Sequence, residues 1–205
     1  MFKKKPLIIF EGIEGSGKTT LINYVSAHLK RKKINFIKIR EPGGNKNSEM
    51  IRKLILGKKN NFNSFTDLML YFAARSENID KVINKNYQKK VILLDRFTDS
   101  TIAYQHYGMG INKYLINYIN KILLGKIKPN IVFLNLVSKK NLIKRLSSRK
   151  NRNRYDYFKI KFYEKVQKGF IKLSKNSSKY IIVNSNNKLE ENKKYVLNKI
   201  LKLMH

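Results

Sequence analysis

The chain has 205 residues, enough for one compact domain, with 45 Lys plus Arg against 13 Asp plus Glu and a net charge of +32. Hydrophobic residues at 42% exclude the apolar-poor recipe of a disordered chain, and the lack of cysteine excludes disulfides, thiolate metal sites and a cysteine nucleophile. The apolar run behind the basic start stops at Glu11, short of the roughly 7–15 residues of a signal-peptide core, and no run approaches the roughly 18–20 of a membrane span, so a cytoplasmic protein is expected.

Leu7 to Phe10 reads as a short buried strand before a glycine-rich turn. Thr19 to about Lys32 follows with helical periodicity, placing Leu21, Ile22, Val25 and Leu29 on one face. Ile34 to Ile39 alternates like a strand and ends at the turn Pro42-Gly43-Gly44. Helical patterns are predicted for Glu49 to Leu56 and Thr66 to about Lys85, then a buried strand for Val91 to Leu94, ending in Asp95. A helix fits Lys113 to Leu124, a strand Ile131 to Leu136 and a helix Lys139 to Ser148. Beyond the basic stretch from Arg149 to Tyr155, a long helix is expected over Phe158 to Ser174, a strand over Tyr180 to Val183 and a helix over Leu189 to Leu203. Short apolar strands alternating with helices predict parallel pairing through right-handed crossovers. The expected architecture is one doubly wound α/β domain over residues 1–205, with a five-stranded parallel sheet flanked by helices and ligands at the carboxyl ends of the strands.

Gly12-Ile13-Glu14-Gly15-Ser16-Gly17-Lys18-Thr19 matches G-x-x-x-x-G-K-[ST], placed between a strand and a helix as the motif requires. Its glycines let successive N–H groups converge on phosphate oxygens at a helix N-terminus. Residues Gly12 to Thr20 are therefore the expected ATP-binding segment, with Lys18 reaching the β- and γ-phosphates and the Thr19 hydroxyl serving Mg²⁺. Asp95, at the end of a buried strand, is the second expected metal-side oxygen. It is followed by Arg96, which suits a second bound phosphate better than a hydrolytic water. One phosphate loop, modest length and a basic segment point to a kinase of a small phosphorylated acceptor.

Several stretches in chain order resemble the bacterial thymidylate kinase family of P-loop nucleoside monophosphate kinases: Phe10 to Thr20, Arg40 to Gly44, Ile51-Arg52, Leu70 to Arg75, Asp95-Arg96-Phe97 with Ser100 to Gln105, and Asn153 to Asp156. The resemblance implies transfer of the γ-phosphoryl group of Mg·ATP to dTMP, giving dTDP and ADP. It implies that Arg96, with Arg52, grips the acceptor phosphate, because a guanidinium fork matches phosphate geometry. Glu14 and Glu41 become acids near the acceptor. Arg75 would bond a base carbonyl, with Tyr71 or Phe72 as the stacking ring, a choice the sequence leaves open. Thr101 and Gln105 would face the base edge and sugar, and the Tyr104 ring would disfavour a ribose hydroxyl.

Residues 149–156 resemble the family's lid. With no basic residue between the phosphate-loop glycines, the resemblance puts the catalytic arginine on the lid. Arg154 aligns best, in an Arg-x-acid pattern completed by Asp156, with Arg149 and Arg152 as further candidates. Lys18, Arg96, a lid arginine and Glu14 are thus the expected catalytic set. The three histidines, His28, His106 and His205, lie outside all these motifs, consistent with an acceptor oxygen that is already anionic and needs no general base. The family also implies a homodimer. The remaining basic residues run through the whole chain without a separable arm, from Lys3 to Lys5 through Lys193 and Lys194, so the surplus reads as solvated surface with no specific nucleic-acid partner.

Overall fold

A computed structural model describes residues 4–150 and 152–205. Strands β1 (Leu7–Glu11), β2 (Phe36–Arg40), β3 (Val91–Asp95), β4 (Ile131–Leu136) and β5 (Tyr180–Asn184) form one sheet in the order β2-β3-β1-β4-β5. Every neighbouring pair is parallel. The helices are α1 (Lys18–Arg31), α2 (Lys46–Leu56), α3 (Ser64–Asn78), α4 (Asn84–Asn86), α5 (Thr98–Thr101), α6 (Lys113–Leu124), α7 (Lys139–Ser147), α8 (Ile160–Ser174) and α9 (Leu189–Met204).

Strand alternation divides the core. Ile8, Phe10, Val91 and Leu93 face Leu21, Val25, Val196 and Ile200 of α1 and α9. Leu7, Ile9, Ile92 and Leu94 face the other way, with Ile79 and Ile83. A buried aliphatic side chain contributes about 1.5–3 kcal/mol, so these two layers fix the strand register. Phe10 is paired with Asp95, and Asp95 with Arg40, which brings the carboxyl ends of β1, β2 and β3 to one edge.

The expected elements all form, with shifted boundaries. β2 starts at Phe36 rather than Ile34, because Ile34 N–H donates to Leu29 O at 3.0 Å and Lys33 takes φ 55°, closing the end of α1. α2 starts earlier than expected, because Asn45 and Ser48 form a reciprocal cap ahead of the apolar positions. The helix expected to reach Lys85 is α3 continued through a π-helical stretch, Ile79–Ile83, into α4. Besides the single 3₁₀ turn Arg154–Tyr157 in the lid, one helical run has no expected counterpart: α5 with its π-helical extension Ile102–Gly108. Its start is held by the buried Glu11 carboxylate, which accepts from Phe97 N–H at 2.8 Å and Ser100 N–H at 3.2 Å. Its end packs closely on α8, where a Cβ on Gly169 would sit 2.5 Å from the Tyr107 ring.

Candidate active site

The carboxyl edge of the sheet opens into a cleft of about 750 Å³. Chain connections leave β1 toward β3 and β2, then return across it to β4 and β5, so the cleft sits at the topological switch point. Glycines carry the phosphate loop through backbone that L residues avoid, with φ 139° at Gly12, 67° at Gly15 and 84° at Gly17. A Cβ on Gly12 would lie 2.5 Å from Asn135 O. Ser16 O accepts from Asn135 Nδ2 at 3.1 Å and from Ser185 Oγ at 2.5 Å, tying the loop to β4 and to the end of β5.

Lys18 is buried, and its Nζ donates to Gly12 O at 2.8 Å and Ile13 O at 2.9 Å. Burial first, then the neighbouring Arg96 charge, depress its pKa to about 8. Thr19 Oγ1 donates to Asp95 Oδ2 at 3.2 Å, so a hydroxyl and a carboxylate oxygen meet at the start of α1. Gly12 and Ile13 serve as backbone acceptors, while Glu14 to Thr20 line the cleft itself.

Arg96 sits at φ 68°, and its side chain is anchored from several sides. Nη1 donates to Gly12 O at 2.9 Å and Nη2 to Glu14 Oε1 at 2.8 Å; Tyr104 OH lies 3.2 Å from Nη2 and also donates to Glu14. Burial pushes the Glu14 carboxyl up, but Arg96 and then Lys18 outweigh it and hold it below the usual carboxylate range. Arg52 lines the same region, donating to Pro42 O at 2.5 Å. Burial and the Arg40 charge lower its pKa.

Arg75 is 1% exposed. Nε donates to Glu41 Oε2 at 2.9 Å, Nη1 to Asn120 Oδ1 at 2.9 Å, and Nη2 to Phe97 O at 3.0 Å and Thr101 Oγ1 at 2.9 Å. One Nη1 hydrogen is left over, and Arg75 lines the cleft beside Tyr71, Thr101, Tyr104 and Gln105. Gln105 Nε2 and Glu41 Oε1 are buried without a protein partner. Tyr71 borders the cleft, whereas Phe72 packs with Leu68, Ile102 and Ile116 in the core and does not line it.

The lid arginines divide differently from expectation. Arg154 turns away from the cleft: its Nη2 pairs with Asp67 of α3 at 2.5 Å, and it lines a second cavity with Phe158 and Phe162. Arg149 lines the cleft, its Nη1 paired with Asp156 Oδ1 at 2.5 Å. Arg152 donates to Ser147 O at 3.2 Å, and Asn151 of the lid segment lies outside the described residues. Two contributors carried no sequence signal. Asn120 of α6 orients Arg75. Arg145 of α7 lines the cleft and joins Gly15 O to Ser185 O, at 2.8 Å each.

The thymidylate kinase family profile matches residues 10–196. A thymidylate kinase of Sulfurihydrogenibium sp. is 39% identical over 178 residues, covering 86% of each chain. One from Geotalea daltonii is 34% identical over 194 residues, covering 90% of this chain and 91% of that protein. The crystal structure of thymidylate kinase from Ehrlichia chaffeensis superposes with a TM-score of 0.78 at 30% identity, over 96% of this chain and 98% of that one. The cleft, the doubly wound sheet and these likenesses agree: the chain belongs to the thymidylate kinase family.

Proposed function

We propose that the chain transfers the γ-phosphoryl group of ATP to the 5′-phosphate of dTMP, with ATP along the phosphate loop and dTMP in the adjoining pocket of Arg96, Tyr71, Arg75 and Gln105. The single observation that carries this reading is that Lys18 and Arg96 share the Gly12 carbonyl, so donor and acceptor phosphates would meet in one cleft. An acceptor phosphate oxygen attacks the γ-phosphorus, the bond to the β–γ bridging oxygen breaks, and ADP leaves. That oxygen is anionic near neutral pH, so rate comes from in-line positioning and charge neutralisation.

The Thr19 hydroxyl and Asp95 carboxylate are hard oxygen donors, and no cluster of three or more acidic, His or Cys side chains among the described residues offers a metal cage. Such a set suits Mg²⁺ held by one or two protein oxygens with phosphates and water, which would neutralise charge on the transferred group. The spare Arg75 hydrogen and the Gln105 amide would take the thymine edge, with Tyr71 stacked on the ring. Tyr104 would fill the space beside C2′.

Rates with dTMP, dUMP, dCMP, dGMP and AMP as acceptors test this reading. dTMP is expected to exceed the others by about tenfold or more in kcat/KM; a faster AMP reaction would overturn it.

The lid makes a second prediction. Arg149 is the arginine proposed to reach the γ-phosphate, and Arg154 positions the lid through Asp67. Arg149→Ala should lower kcat by about 100-fold or more, and Arg154→Ala by less than about tenfold. The opposite order would return the catalytic role to Arg154.

A homodimer is part of the same reading. Tyr114, Tyr118 and Ile122 form an exposed stripe on α6, with the two tyrosines stacked. Tyr118→Glu should leave a monomer in sedimentation, whereas an unchanged dimer would place the interface elsewhere. No helix among the described residues is long and apolar enough to cross a membrane, and a cytoplasmic site of action fits substrates found there.

A further inference from the structure

We propose that the pole opposite the cleft is a docking surface for double-stranded DNA, held by its phosphates without regard to sequence. All five strands are parallel and aligned, so the chain enters each of them at one end of the sheet. Every one of those starts is basic. Lys32 and Lys33 precede β2, Lys89 and Lys90 precede β3, and Lys4 and Lys5 precede β1 at the centre, with Lys3 outside the described residues. On the other flank, Lys126 and Lys128 lead into β4, and Lys175 and Lys179 into β5. A sequence in which basic residues look evenly spread thus folds into a row of them.

Among the described residues, the loops that carry this row hold no acidic side chain to neutralise it. Residues 28–35, 84–90, 121–130 and 172–179 contain no Asp or Glu. None of the row's lysines enters an ion pair among the described residues. The helices that lead to this end bring the negative ends of their dipoles, which favour cations in the last turn by about 0.3–1 kcal/mol each. That accounts for Lys30 and Arg31 of α1. Most of the loop lysines lie past the last helical turn, where the attraction has faded. Their mutual repulsion is left for an outside polyanion to relieve.

The chemistry of the row selects the occupant. Five strands spaced about 4.8 Å apart make an edge about 20 Å long. Over that length a DNA duplex presents about a dozen phosphates. Among the described residues, the pole loops expose no Phe, Tyr or Trp ring for stacking unpaired bases; Tyr87 is half-buried with its hydroxyl in contact with Lys128. Among the described residues, Ile122 in the last turn of α6 is the one large apolar side chain exposed in these segments, too little for insertion into a bilayer. Lysine point charges contact phosphates without reading base edges. Because the cleft lies at the other end of the sheet, a docked molecule would keep it open to solvent.

The test is binding of the full chain to a fluorescent random-sequence duplex of about 20 base pairs at 150 mM salt. Micromolar binding is expected, with a log–log salt slope of about −4 or steeper. The fourfold variant Lys32→Glu, Lys33→Glu, Lys89→Glu, Lys90→Glu should lose at least about tenfold in affinity and flatten the slope by about 3. A charge-matched control at the other end, Lys46→Glu, Lys53→Glu, Lys140→Glu, Lys161→Glu, should bind within about threefold of the parent. Both variants should keep the parental kcat, which reports that they fold, and saturating ATP and dTMP should leave DNA binding unchanged. That last measurement separates this surface from the cleft, so either reading can fail without the other. No binding at 150 mM salt, equal losses in the two variants, or tighter binding of single-stranded DNA, duplex RNA or anionic vesicles would overturn the proposal.

Discussion

Lys18→Ala is expected to lower kcat by about 1,000-fold or more while the protein stays folded. Its Nζ is the cation most deeply placed in the loop, donating to the Gly12 and Ile13 carbonyls. A phosphate entering the loop would take over those hydrogens, and the charge would then follow the γ-phosphoryl group as it moves. Removing a single preorganised donor from a closed site costs about 100- to 1,000-fold, and here a full charge goes with it. The fold should survive, because β1 and α1 are held by the layer of Ile8, Phe10, Leu21 and Val25, and deletion also removes a buried charge. A depressed lysine also has a pH signature. With the free-enzyme pKa near 8, part of the amine is neutral above that pH, and bound phosphate should restore the proton. ATP binding at pH 8 should therefore take up protons, read by calorimetry in buffers of different ionisation enthalpy. Near-parental turnover of the variant, or no proton uptake at pH 8, would contradict this role.

How far the site could be read from the sequence depended on the distance over which its contacts act. The phosphate loop is a local object, set by glycines within eight residues, and it stands between strand and helix as the motif demands. Tyr71 and Arg75 are one helical turn apart, so their shared face followed from spacing, and both border the cleft. Phe72 is a single residue further on, which rotates it about 100° into the core. Periodicity separates such neighbours only when the direction of the core is known. Arg154 was out of reach for another reason: its partner Asp67 is 87 residues away, and local order in the lid says nothing about it. The same holds for Arg145, which looks like one more basic residue on an amphipathic helix until Gly15 and Ser185 arrive from distant segments. The run from Thr98 to Gly108 was missed because its helical start depends on a carboxylate from β1. Charge followed the same rule. Lysine pairs scattered along the chain become a row only because parallel topology stacks the strand starts.

Arg96→Ala is expected to raise the dTMP KM by about 100-fold or more, with a much smaller effect on the ATP KM. The residue occupies left-handed backbone at φ 68°, a conformation that costs a non-glycine residue about 1–3 kcal/mol. That conformation is held by Arg96 N–H donating to Phe10 O at 3.0 Å, with Glu11 fixing the turn that follows. The guanidinium is braced by Gly12 O and Glu14, so a phosphate would meet an oriented fork with little ordering left to do. Hydrogen bonds to charged groups contribute about 1.5–3 kcal/mol each. Their loss would also leave the Glu14 carboxylate facing the acceptor phosphate without its cation. Arg96→Lys should recover only part of the affinity, because an ammonium keeps the charge and loses the paired geometry. A purely structural role is separated by Arg96→Gly. Glycine relieves the backbone strain, so this variant should melt higher than Arg96→Ala while showing the same loss for dTMP. If instead the acceptor KM stays at the parental value in Arg96→Ala, the phosphate clamp must be built from Arg52 and the lid, and Arg96 serves only to hold the loop.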